Sequence, residues 1–127
     1  MTINSILIVD DSEADQFINQ TLIKKHDANI EILQAYDGQE ALNVLDECKA
    51  LPDLILLDIN MPGMNGHEFL EVYSTREYQG GQPSVVILTS SNQDKDKSLT
   101  TAYDCVLNYF EKPLLPDSIG TIFQEIS

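Results

Sequence analysis

The sequence predicts a doubly wound α/β sheet, because five short apolar runs punctuate its 127 residues and segments of helical period lie between them. Such alternation builds one sheet of parallel strands joined by right-handed crossovers, with helices on both faces. The runs are Ile6-Leu7-Ile8-Val9, Ile30-Glu31-Ile32-Leu33, Leu54-Ile55-Leu56-Leu57, Val85-Val86-Ile87-Leu88 and Val106-Leu107-Asn108-Tyr109-Phe110. Most are continuous rather than alternating, as strands covered on both faces require. The second is the least pure and is expected near an edge.

The helices follow in order. Ser12 reads as an N-cap with Asp15 three residues on, and Ala14, Phe17, Ile18 and Leu22 form the apolar stripe of the first helix. Ala41, Leu42 and Leu45 mark the second, and Phe69, Leu70 and Tyr73 the third. Gln93 to Ala102 is polar and weakly periodic, the faintest of the helical segments. Ile119, Ile122, Phe123 and Ile126 make a clear last one, and Gly80-Gly81-Gln82-Pro83 is a loop into the fourth strand.

One domain over residues 1–127, with no effector domain, is what this length accommodates. Seven basic against 21 acidic residues give a formal charge of −14, which repels nucleic acid phosphates and anionic lipid. Cys48 and Cys105 are too few and too far apart in sequence for a disulfide framework or a zinc site. The first residues lack a signal-peptide pattern and no apolar run approaches a membrane span, so a cytoplasmic protein is expected. His26 and His67 read as surface residues, and Tyr36, Tyr73, Tyr78 and Tyr103 as packing residues.

In open α/β sheets ligands bind beyond the carboxyl ends of the strands. Here the first strand ends in Asp10-Asp11, the third in Asp58 and the fourth in Thr89-Ser90, and Lys112-Pro113 follows the fifth. Singly, each reads as a solvated strand end or turn; together they form a mutually compensating charge pattern. Three converging carboxylates raise one another's pKa, and a divalent cation resolves the conflict. Carboxylate and carbonyl oxygens with water suit Mg²⁺, which shares its shell with phosphate. Lys112 adds a positive charge and Thr89 a hydroxyl donor, a set able to stabilise phosphoryl transfer. Asp58 is the expected covalent acceptor, because Pro62, Gly63 and Gly66 build a rigid turn immediately after it.

The segments ILIVDDSEADQF at 6–17, DLILLDINMPGMNGHEFL at 53–70, VVILTSS at 85–91 and YFEKPL at 109–114 resemble the receiver domain of bacterial two-component response regulators. The resemblance, over essentially the whole chain, implies a flavodoxin-like sheet with strand order 2-1-3-4-5. It also implies roles. Asp58 matches the phosphoacceptor, Asp11 a direct Mg²⁺ ligand, Asp10 an acid acting through water, and the Asn60 carbonyl the remaining ligand. Lys112 matches the phosphoryl-contacting lysine, Pro113 a cis-proline, and Thr89 and Tyr109 the switch pair. Asn60 and Ser91 occupy positions where receivers tune dephosphorylation.

The implied partners are a histidine kinase or histidine phosphotransfer protein. Downstream stands a protein reading the face of fourth helix, fifth strand and fifth helix, with a phosphorylation-dependent second copy a further candidate. Such a domain catalyses only its own modification and is not an enzyme acting on a separate substrate. At Ala102-Tyr103-Asp104-Cys105 the chain departs from the Gly-Ala pair common in receivers, which bears on that face and not on the acceptor. Two other readings fare worse. A haloacid-dehalogenase-type enzyme needs an Asp two positions after its nucleophile, where Ser12 and Glu13 stand, and a flavodoxin-type carrier needs a phosphate loop without Asp10 and Asp11.

Overall fold

A computed structural model describes residues 3–59, 61, 63–76, 78, 82–89, 103–112 and 114–126. The expectations for Asn60, Pro62, Ser90, Ser91, Pro113 and the helix over Gln93 to Ala102 lie outside these residues.

Strands β1 (Ser5–Val9), β2 (Glu31–Ala35), β3 (Leu54–Asp58), β4 (Ser84–Thr89) and β5 (Val106–Glu111) form one parallel sheet, in the order β2-β1-β3-β4-β5. This is the order implied by the resemblance, and the impure second run lies at an edge as expected. Each β1 residue from Ile6 to Val9 pairs with β3 from Leu54 to Leu57, and Asp58 pairs with Leu88. The pairing of β4 with β5 shifts register between Val85 and Val86. The β1 start is fixed by Asp53, whose Oδ2 accepts the Asn4 and Ser5 N–H groups at 2.6 and 3.3 Å.

Successive strand residues point to opposite faces. Leu7, Val9, Ile55, Leu57, Val85 and Ile87 face helices α2 (Gly38–Glu47) and α3 (Gly66–Tyr73), meeting Ala41, Leu42, Leu45, Phe69, Leu70 and Tyr73. Ile6, Ile8, Leu54, Leu56, Val86 and Leu88 face helices α1 (Glu13–His26) and α4 (Pro116–Ile126), meeting Ile23, Ile119 and Ile122. Burying each such side chain stabilises by about 1.5–3 kcal/mol, so both layers are needed to hold the sheet.

The helix starts follow the local rules. Ser12 Oγ accepts the Asp15 N–H at 3.2 Å, and Asp37 Oδ1 accepts the Glu40 N–H at 2.8 Å. Asn65 and Glu68 form a reciprocal capping box at α3. Cys48 caps the end of α2 and Cys105 immediately precedes β5, both as free, half-buried thiols. His26 is exposed, and its ring stacks on Phe123 with centroids 4.4 Å apart, joining α1 to α4. The Ile126 side chain lies outside the described set.

The first helix buries only part of the expected apolar stripe: Leu22 packs half-buried against the core, but Ala14, Phe17 and Ile18 do not turn inward. Phe17 is 70 % exposed and Ile18 is also exposed, while Gln16, Asn19 and Ile23 are buried. The physical reason is at the carboxyl edge of the sheet. The Gln16 side-chain amide donates to the carbonyls of Ile8, Asp10 and Ala35 at 3.1, 3.1 and 2.9 Å. Carbonyls leaving a sheet need donors, and this demand turns α1 about its axis. Among the described residues no helix is long and apolar enough to cross a membrane.

Candidate functional site

The strand ends converge as their residue types demand. Asp10 follows β1, Asp58 closes β3, Thr89 closes β4, and all three are buried; Asp11 beside them is exposed. Carboxylate oxygens of Asp10, Asp11 and Asp58 lie within 4.8 Å of one another. Three like charges so close repel strongly, especially where two are shielded from water.

Lys112, just past β5, compensates part of that charge. Its Nζ stands 2.8 Å from Asp10 Oδ2, 2.9 Å from Asp15 Oδ2 and 3.4 Å from Asp58 Oδ2. Burial by itself would lower the pKa of this ammonium. Hydrogen bonds to Asp10 and Asp15 and the charges of Asp58 and Asp10 outweigh it, and the pKa is raised. One ammonium still leaves the cluster net negative. Hard oxygen donors with residual negative charge are the donor set Mg²⁺ prefers, so these residues fit that ion.

Backbone contacts hold the cluster in place. The Asp10 N–H donates to the Ala35 carbonyl at 3.0 Å, and the Ser12 N–H donates to Asp10 Oδ1 at 3.0 Å. The Lys112 N–H donates to the Thr89 carbonyl at 2.8 Å, so the switch candidate and the lysine share one main-chain junction. After Asp58 the turn includes Gly63 at φ +70°, a left-handed conformation that glycine adopts readily. The Gly66 N–H then donates to the Ile59 carbonyl at 3.0 Å, starting α3 directly under the acceptor candidate.

Of the expected site residues, Asp10, Asp11, Asp58 and Lys112 come together around the carboxylates, with Thr89 at the adjoining strand end. Tyr109 lies in β5 opposite Ile87, half-buried against the α2–α3 layer. Asn60 and Pro113 fall outside the described residues. Two residues were not singled out by sequence reasoning. Asp15, read only as part of a helix start, reaches Lys112, and Gln16 ties Asp10 to the edge of the sheet. The available signal was the spacing of Gln16, Asn19 and Ile23 on one helical face, which a search for apolar side chains passes over.

A family model described as the response regulator receiver domain matches residues 6–124. Protein PilH of Pseudomonas aeruginosa is 33 % identical over 92 residues, 72 % of this chain and 72 % of that protein. The sensor histidine kinase CheAY of Helicobacter pylori is 29 % identical over 117 residues, 92 % of this chain; the match spans only 14 % of that protein's length. The crystal structure of a two-component response regulator from Cytophaga hutchinsonii superposes with a TM-score of 0.88 at 30 % identity, covering 99 % of this chain and 98 % of that one.

Proposed function

Because this chain belongs to the response regulator receiver family, we propose that Asp58 accepts a phosphoryl group from a phosphohistidine donor. The donor is a histidine kinase or a histidine phosphotransfer protein, and the phosphorylated domain signals by binding a protein partner or by onward transfer. Receivers are signalling domains of two-component systems that bind Mg²⁺ at an acidic pocket. Asp10, Asp11 and Asp58, with the Asn60 carbonyl, are the residues that would hold it. When bound, the ion supplies positive charge against the equatorial phosphoryl oxygens.

The observation that carries the reading is the meeting of three carboxylates within 4.8 Å, with Lys112 Nζ 3.4 Å from Asp58. An Asp58 carboxylate oxygen attacks phosphorus, forming an O–P bond. The P–N bond to the donor imidazole breaks and its electron pair stays on that nitrogen; with a proton on the other ring nitrogen the donor leaves as a neutral histidine, and an acyl phosphate remains on Asp58. Lys112 supplies a cation beside the developing charge. Thr89 offers its hydroxyl to the new dianion, and Tyr109, on the strand joined to Thr89 through Lys112, is the aromatic that follows.

The test is intact-protein mass after incubation with acetyl phosphate, with and without Mg²⁺, comparing the wild type with Asp58→Asn. The expected result is one phosphoryl adduct that requires Mg²⁺ and is absent from the variant. Absence of an adduct, together with no Mg²⁺-dependent binding of beryllofluoride, would overturn the reading.

A further inference from the structure

We infer that Asp15 is a positioning residue for this chemistry: its carboxylate tethers the Lys112 ammonium toward the α1 side of the site, closer to Asp10 and Asp15 than to Asp58. The inference rests on the reading of Asp58 as phosphoacceptor. Asp15 is the third residue of α1. An acid there commonly reaches back to the N–H of the capping residue, completing a capping box. In this chain the Ser12 N–H already donates to Asp10 Oδ1 at 3.0 Å. The Asp15 carboxylate turns instead to Lys112, accepting from Nζ at 2.9 Å.

An ammonium has three N–H donors. The two short contacts of Lys112 point to Asp10 and Asp15, and the longest of the three, 3.4 Å, points to Asp58. A phosphoryl oxygen arriving on Asp58 therefore competes for a cation that is already held. A contact stronger in the unmodified state than in the phosphorylated one opposes phosphorylation by the difference. Asp10 is buried and belongs to the acid cluster itself, whereas the Asp15 side chain is 36 % exposed and lies outside the cluster. Asp15 is thus a separable and moderate brake. The competing account is a favourable charge at a helix start, which would act on stability and be indifferent to Lys112.

The experiment is a beryllofluoride titration at saturating Mg²⁺ on wild type, Asp15→Asn, Lys112→Met and the double variant, with thermal midpoints alongside. Asp15→Asn is expected to bind about two- to fivefold more tightly, as the loss of a partly exposed ion pair allows. That gain should vanish in the Lys112→Met background. Unchanged or weaker binding by Asp15→Asn overturns the inference. So does an equal gain without Lys112, which would mark a general charge effect. If Lys112→Met binds no beryllofluoride, the rate of adduct formation from acetyl phosphate carries the same comparison in both backgrounds. Failure of the wild type itself to bind overturns the acceptor reading, and is distinguished by appearing before any substitution.

Discussion

Tyr73 lies fully inside the α2–α3 layer, and its hydroxyl donates to the Pro83 carbonyl at 2.6 Å. Burial pushes the phenol pKa well up, with smaller contributions from Cys105 and Tyr78. The neutral form is the one the fold accepts. Its contribution to stability is whole below the unfolded phenol's pKa of about 10 and is lost as pH rises past it. Tyr73→Phe keeps the ring and removes the carbonyl's donor, at an expected cost of about 1–2 kcal/mol in urea unfolding at pH 7. The variant should also lose less stability than wild type when the titration is repeated above pH 10 or so. At Gly66 a Cβ would stand 2.8 Å from Ile59 Cα and 2.9 Å from the Asp58 carbonyl, both backbone atoms that cannot step aside. Gly66→Ala should therefore cost about 1–3 kcal/mol and slow adduct formation, read by urea unfolding and intact mass. The acceptor cluster was legible in residue types at strand ends, because Asp10, Asp58, Thr89 and Lys112 each carry chemistry a strand core does not need. Asp15 and Gln16 were not. One has its partner 97 residues away, and the other serves backbone carbonyls, which leave no trace in a side-chain pattern.

The helices show where pattern reading stops. In α2 and α3 the expected stripes are the buried ones, because Ala41, Leu42, Leu45, Phe69, Leu70 and Tyr73 pack against the apolar strand residues there. In α1 the sheet edge asks for an amide, and Gln16 wins over Phe17. The substitution pair Ile23→Ala and Phe17→Ser tests that orientation. The first should cost about 2–4 kcal/mol as a core truncation, and the second should stay within about 0.5 kcal/mol. Similar losses in both, measured by urea unfolding, would mean that α1 is turned the other way. The strands were legible because burial on both faces leaves runs of apolar residues with little ambiguity. The two edge strands carry polar residues within them, Gln34 in β2 and Asn108 in β5, as an edge position permits.

Across the whole molecule, 21 acids against seven bases give self-repulsion that the fold must withstand. Raising NaCl from about 20 to 500 mM shortens the screening distance roughly fivefold, and the thermal midpoint is expected to rise by a few degrees. A flat or falling midpoint would show that this repulsion is not a main destabilising force. The charge balance was plain in the composition. The strand order was not contained in periodicity, which fixes where strands lie along the chain but not which neighbours they take; the resemblance supplied it. The two thiols have a practical consequence. Cys48 and Cys105 sit near the starts of β3 and β5, at the rim opposite the carboxylates. A six-residue strand separates Cys105 from Lys112, roughly 20 Å of rise. With Cys48 replaced by serine, a dye on the remaining thiol would watch the far end of the strand that carries Tyr109, without touching the acid cluster. The chain thus comes with its own attachment point for an optical reporter.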